Sequence, residues 1–195
     1  TVPILILGAS GEEAVEDLIN FDITPSVFTY EFAKALSYEA ERKEKVTKIH
    51  IKIDTGMSRI GFLAGENNEE IVDEIIKISK LPYIEIEGIF SHFATSDEYD
   101  KSYTLLQYGR FMDVCNRLEE KGLTIPIKHI CNSAGIMMYP EMHLDMVRPG
   151  VILYGMYPSD EVDKSRLDLI PAMTLKSTIT HIKEVEPGRG VSYGK

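Results

Sequence analysis

Short apolar, β-branched runs alternate with amphipathic helical stretches along most of this chain, and that alternation restricts the fold more than any other feature. Strand-like runs occupy residues 2–7, 26–29, 48–53, 84–90, 128–131 and 147–154. Between them, residues 31–42 are rich in Ala, Leu, Glu and Lys. Residues 69–79 carry Ile71, Val72, Ile75, Ile76 and Ile78, and residues 104–121 carry Leu105, Tyr108, Phe111, Met112, Cys115 and Leu118. Apolar residues at that spacing predict helices with one buried face, and Gly122 closes the last of them. A further helix start is read at Ser10-Gly11-Glu12-Glu13. Strands joined through helices predict a parallel sheet, open or closed into a barrel. The run at 48–53 alternates and is β-branched, while the runs in general read as apolar on both faces, as helix-covered parallel strands do.

The pattern changes after residue 158. Residues 159–171 are polar and end in Ile170-Pro171. Met173, Leu175, Ser177 and Ile179 then alternate with Thr174, Lys176, Thr178 and Thr180, which predicts an antiparallel-type strand. Glu186-Pro187-Gly188-Arg189-Gly190 reads as a turn. The expected organisation is a parallel β/α domain over 1–158, a linker and crossover over 159–172, and the beginning of a β domain over 173–195.

A chain of 195 residues, 44% of them hydrophobic, can bury a sizeable core. A net charge of -10 weighs against nucleic-acid binding, which depends on neutralising phosphates. The apolar runs are too short to span a membrane, and the chain does not open on a signal peptide. Cys115 and Cys131 fit a reduced, cytosolic protein better than a disulfide scaffold, and they lack zinc spacing. No metal is expected.

Chemistry-bearing residues cluster just after the strands. Lys52 and Asp54 precede Thr55-Gly56-Met57-Ser58-Arg59; Ser91 and His92 precede Ala94-Thr95-Ser96; Asn132 and Ser133 follow Cys131. Arg148, Gly150 and Val151 lie in the last run. Barrels and open parallel sheets build their sites at the carboxyl ends of strands. Taken singly, each has a bland reading. Asp-Thr-Gly and Asn-Ser are common turns or helix caps, a lone histidine beside phenylalanines is often a satisfied core residue, and an arginine can be a structural ion-pair partner. Together, all at strand ends, they point to one shared site. His50, His129, His143 and His181 have no metal-like companions at i+4 and are assigned no chemistry. The Tyr and Met residues from Met137 to Met142 read as core.

These residues resemble bacterial alanine racemases. The resemblance rests on His50-Ile51-Lys52-Ile53-Asp54-Thr55-Gly56-Met57-Ser58-Arg59-Ile60-Gly61-Phe62, on Ser91-His92-Phe93-Ala94-Thr95-Ser96-Asp97, on Asn132-Ser133-Ala134 and on Val147-Arg148-Pro149-Gly150 with Leu153-Tyr154-Gly155. Gly190-Val191-Ser192-Tyr193-Gly194 is similar to the opening of the family's second domain. The resemblance implies an eight-stranded (β/α)8 TIM-type barrel followed by a β domain, in a cytoplasmic bacterial homodimer with active sites between subunits. It implies interconversion of L- and D-alanine for peptidoglycan with pyridoxal 5'-phosphate (PLP) as cofactor. It places Ser133 and the backbone N–H groups of Gly150 and Val151 at the phosphate, Arg148 at the pyridine nitrogen and His92 beside the ring, with Asn132 also among the cofactor-binding residues. Arg59 then reaches the cofactor's phenolic oxygen, and Lys52 matches a lysine carbamylated in many relatives.

Two parts of the family's pattern have no match. The lysine that binds PLP sits in a Lys-Ala-Asn-Ala-Tyr-Gly-like motif, and no lysine here has that context. The second base is a tyrosine of the β domain; Tyr193 resembles an early residue of that domain instead. The chain is therefore expected to be an internal part, with a partial barrel over 1–158 (strands three to eight), and inactive alone. Competing readings are a broader-specificity amino-acid racemase, a PLP barrel decarboxylase, which the Arg148 context disfavours, and a non-catalytic PLP-binding barrel.

Overall fold

A computed structural model describes residues 2–193. The elements in chain order are β1 (Ile4–Leu5), α1 (Val15–Asn20), β2 (Ile23–Thr24), β3 (Ser26–Val27), α2 (Tyr30–Arg42), β4 (Thr47–Asp54), β5 (Phe62–Leu63), α3 (Glu69–Ile78), β6 (Ile84–Phe90), α4 (Ser102–Glu120), β7 (Ile127–His129) and α5 (Ser133–Met138). Every strand pairing is parallel: β1 with β2, then β3, β4, β6 and β7 side by side, with β5 laid back on β4. β2 and β3 are one passage interrupted at Pro25, whose carbonyl still accepts from His50 N at 3.0 Å. The described sheet does not close, so the architecture is an incomplete α/β barrel, as expected.

The helices form for the reasons their sequences give. Thr29 Oγ1 caps α2 by accepting from Phe32 N, and Ala33, Leu36 and Ala40 are buried on one face. α3 buries Val72, Ile75 and Ile78. α4 buries Phe111, Val114, Cys115 and Leu118, and Gly122 ends it at φ +84, where a side chain would be strained. These faces meet Ile49, Ile51, Ile53 and Ile89 in the main core. None of the described helices is long and apolar enough to cross a membrane.

The sheet departs from its sequence reading on one face. The alternate positions His50, Lys52 and Asp54 are buried too, although polar. Successive strand residues point to opposite sides, so the isoleucines turn toward the helices and the polar set lines the barrel interior. β4 is apolar on one face only.

Two expected strands are not strands. Residues 147–150 run beside the segment that follows β7, held by Arg148 N donating to Cys131 O at 3.0 Å, and Val151–Tyr154 is a 3-10 helix. Pro149 has no N–H to donate, and Gly150 N turns to Ser133 Oγ at 2.8 Å, so no ladder continues. The alternating segment from Met173 also forms no strand among the described residues, and Met173, Leu175, Ile179 and Ile182 are exposed. A strand's backbone groups need a neighbouring strand, and alternation alone supplies none. Gly194 of the last motif lies outside the described residues.

Candidate functional site

The loops leaving β4, β6 and β7 converge at one end of the sheet. After β4, Asp54 gathers its own loop: Oδ1 accepts from Gly56 N, Met57 N and Ser58 N at 2.9–3.0 Å, and Oδ2 from Arg59 N at 3.2 Å. This carboxylate fixes the backbone from which Arg59 rises. Gln107 of α4 staples the same region to the next loop, donating to Thr55 Oγ1 and His92 O while accepting from Ala94 N. Thr55 and Ser91 hydroxyls meet at 2.8 Å.

Asn132 both caps and braces. Its Oδ1 accepts from Gly135 N and from Ser96 Oγ, each at 2.9 Å. Ser133 follows, with Gly150 N on its hydroxyl, so two chain segments distant in sequence meet as one polar lip.

Arg148 is the centre of the arrangement. Nη2 donates to Ser91 O at 2.7 Å and Ile130 O at 3.1 Å, and lies 3.2 Å from His92 Nδ1. Nη1 meets His129 Nδ1. The Phe90 ring lies 5.3 Å from the guanidinium carbon. Among the described residues no carboxylate pairs with Arg148, and its buried Nε has no partner. Burial is the main reason its pKa falls to about 10, which still leaves a cation at neutral pH. Burial, then the Arg148 charge, pushes His92 down to about 4, so that ring is neutral. Arg148 can only donate, so the His92 nitrogen facing it, Nδ1, is the bare one, sharing the two Nη2 N–H groups with Ser91 O and Ile130 O, and its Nε2 carries the proton.

His92, Asn132, Ser133, Arg148, Gly150 and Val151 all line one cavity of about 400 Å³. Lys52 and Arg59 do not line it. Lys52 lies behind Phe90, its Nζ 5.4 Å from that ring and donating to Ile53 O at 2.7 Å. Burial first, then the Arg148 and Arg59 charges, lower Lys52 to about 8 against the opposing pull of Asp54. Arg59 is exposed at the rim, near enough for its charge to bear on Lys52, His92 and Arg148.

Spacing along the chain misses His129, His50 and Phe90. Phe90 stacks on His129 with centroids 4.8 Å apart and planes 1° from parallel, and His129 Nε2 lies 2.9 Å from His50 Nδ1. The available signal was the row His50, Lys52, Asp54, polar at every second position of an otherwise isoleucine strand.

A parallel β/α sheet whose strand-end loops close a cavity around a donor-only arginine and a serine–glycine lip defines a β/α-barrel protein with its site at the usual barrel end. The chain belongs to the alanine racemase family: the profile "Alanine racemase, N-terminal domain" matches residues 1–158. It is 53% identical over 193 residues to the alanine racemase of Clostridium tetani, which covers 99% of this chain and 49% of that protein. The solved alanine racemase of Clostridium difficile 630 in complex with cycloserine matches with TM-score 0.88 and 49% identity, over 94% of this chain and 50% of that one. The alanine racemase of Bacillus anthracis with bound L-Ala-P matches with TM-score 0.84 and 33% identity, over 100% of this chain and 50% of that one. The chain thus spans about half the length of the relatives it matches.

Proposed function

We propose that the protein containing this chain is a PLP-dependent alanine racemase. The observation that carries the proposal is Arg148, a cation with no carboxylate partner among the described residues and an orphaned buried Nε, beside the Ser133–Gly150 lip. Those groups suit a planar anion with a ring nitrogen that accepts. Bound there, PLP would supply the electron sink that lets an amino acid lose its α-proton. Ser133 and the N–H groups of Gly150 and Val151 would hold the phosphate, Asn132 would brace that lip through Ser96 and Gly135, and Arg148 would donate to the ring nitrogen. A guanidinium cannot accept, so Arg148 would favour an unprotonated nitrogen there, where an acid would favour a protonated one. His92 steadies Arg148 by accepting from it. Arg59, set by Asp54, serves the substrate side.

The domain division at 158 and 173, a homodimer, a role in peptidoglycan synthesis and a cytoplasmic location belong to the same proposal, supported by the family. The chain alone, with no match to the PLP-binding lysine or the second base, is proposed to be inactive. The intact protein is expected to interconvert L- and D-alanine only with PLP present. PLP binding with turnover of other amino acids but not alanine would overturn the substrate assignment; no PLP binding would overturn the whole reading.

Lys52 allows a second check. A buried amine with pKa about 8 is partly neutral at physiological pH. Its lone pair can add to CO2, forming an N–C bond and releasing a proton, and the cation becomes an anion near Arg59. At fixed dissolved 13CO2, a carbamate resonance in the intact protein is expected to grow from about pH 7 to about pH 9, as the amine deprotonates. It should vanish in Lys52→Arg. A parent spectrum without that resonance refutes the modification.

A further inference from the structure

A line of buried polar groups runs from Arg148 away from the cavity. Arg148 Nη1 meets His129 Nδ1, His129 Nε2 lies 2.9 Å from His50 Nδ1, and His50 Nε2 lies 3.4 Å from Glu87 Oε2. Only one proton arrangement satisfies every step. Arg148 donates, so His129 Nδ1 is bare and its Nε2–H donates to His50 Nδ1. The remaining His50 Nε2–H then points its positive end at the Glu87 carboxylate. Both rings are neutral in this arrangement. Burial agrees, holding His129 down to about 2 and lowering His50 despite the opposing pull of Glu87.

Three further features of the backbone and packing serve this line. The register between β4 and β6 slips once: Ile49 pairs with Ile86, but His50 pairs with Gly88. Glu87 is the extra residue of that bulge, and bulges re-aim side chains near sites. The next residue is a glycine whose missing Cβ leaves the space that the His50 ring fills. Phe90 then clamps His129 by stacking.

We propose that Glu87 is the counter-charge of Arg148, acting through two neutral imidazoles as a positioning residue that keeps the guanidinium aimed as a donor at the ring nitrogen. This rests on the PLP reading above. A carboxylate set directly against Arg148 would compete with the cavity for its N–H groups. Two imidazoles carry the stabilisation inward and leave no acid beside the ring. Other charges face the line. Lys48 Nζ lies 2.6 Å from Glu87 and 4.0 Å from Glu85, half-exposed to water that screens it, while the Lys52 charge bears on His129 and the Arg59 charge on Arg148.

The test is Glu87→Gln in the intact holoenzyme, which keeps an acceptor for His50 and removes the charge. Racemisation kcat is expected to fall roughly tenfold, with KM for alanine changed less than about twofold, as for other outer partners of a reacting group. The side-chain 15N resonances of His50 and His129 and that of the PLP ring nitrogen should move. Glu85→Gln, which removes a neighbouring charge off the line, should do neither. A Glu87→Gln enzyme with parental kcat and parental 15N shifts would reduce Glu87 to packing and overturn the proposal while leaving the racemase reading intact. A parent spectrum with His129 protonated at Nδ1 would overturn it equally. A parent that binds no PLP would fail both, and the absorbance spectrum separates that case at once.

Discussion

Arg148→Ala is expected to remove saturable PLP binding, read as the cofactor's absorbance in a titration of the intact protein, and to cut racemisation by about a hundredfold or more. That loss corresponds to about 3 kcal/mol of transition-state stabilisation. The size follows from how many partners one side chain serves. Arg148 satisfies Ser91 O and Ile130 O, meets His92 and His129, and keeps a buried Nε without a partner. Truncation strips both carbonyls of a donor, at about 1–3 kcal/mol for each buried group left unmade. Thermal unfolding must therefore be followed beside binding. Arg148→Lys sharpens the result: it keeps the charge but cannot reach four acceptors from one plane. If Arg148→Ala bound PLP like the parent, the cavity would not be the cofactor site, and the central assignment would fall.

Much of the fold was legible because period and punctuation agree. The predicted strand at 84–90 coincides with β6, and the predicted helices at 69–79 and 104–121 lie within two residues of α3 and α4. Isoleucines and leucines at helical spacing leave one burial solution, and Gly122 marks an end with little freedom. The strand-end residues were also legible as a group, since the carboxyl ends of parallel strands share one side of a sheet. Six of them do share one cavity.

What escaped the sequence depends on contacts between strands. His50 and His129 lie 79 residues apart and share no spacing rule, yet β4 and β7, the two strands flanking β6, place their rings 5.1 Å apart. The general reading of the runs as apolar on both faces failed at β4, whose alternate positions His50, Lys52 and Asp54 meet imidazole, aromatic ring and loop backbone rather than the isoleucine core. The strand expected at 147–154 failed at Pro149, whose effect on the ladder is local but whose compensation by Ser133 is not. The strand expected after Met173 had the right alternation and no partner to pair with among the described residues.

Gly88→Ala is expected to destabilise the intact protein by about 1–3 kcal/mol, the usual cost of overpacking a buried site. The added methyl would collide with Cε1 and Nδ1 of the His50 ring. That ring cannot swing clear cheaply. His129 holds its Nδ1, Glu87 faces its Nε2, and β4 and β6 are paired through this very position, His50 with Gly88. His50→Ala alone is also destabilising, since it empties a filled site and leaves His129 Nε2–H unpartnered. The informative quantity is the double mutant. If the collision is real, removing the ring makes room for the methyl, and the double mutant should lose at least about 1 kcal/mol less than the two single losses added together. Racemisation should not recover with it, because the line from Arg148 to Glu87 is still cut. Strict additivity of the two stability losses would show that the glycine serves the backbone bulge alone and makes no room for the ring. Recovery of full activity together with stability would mean that His50 is dispensable, and the path from Glu87 to Arg148 would lose its middle member.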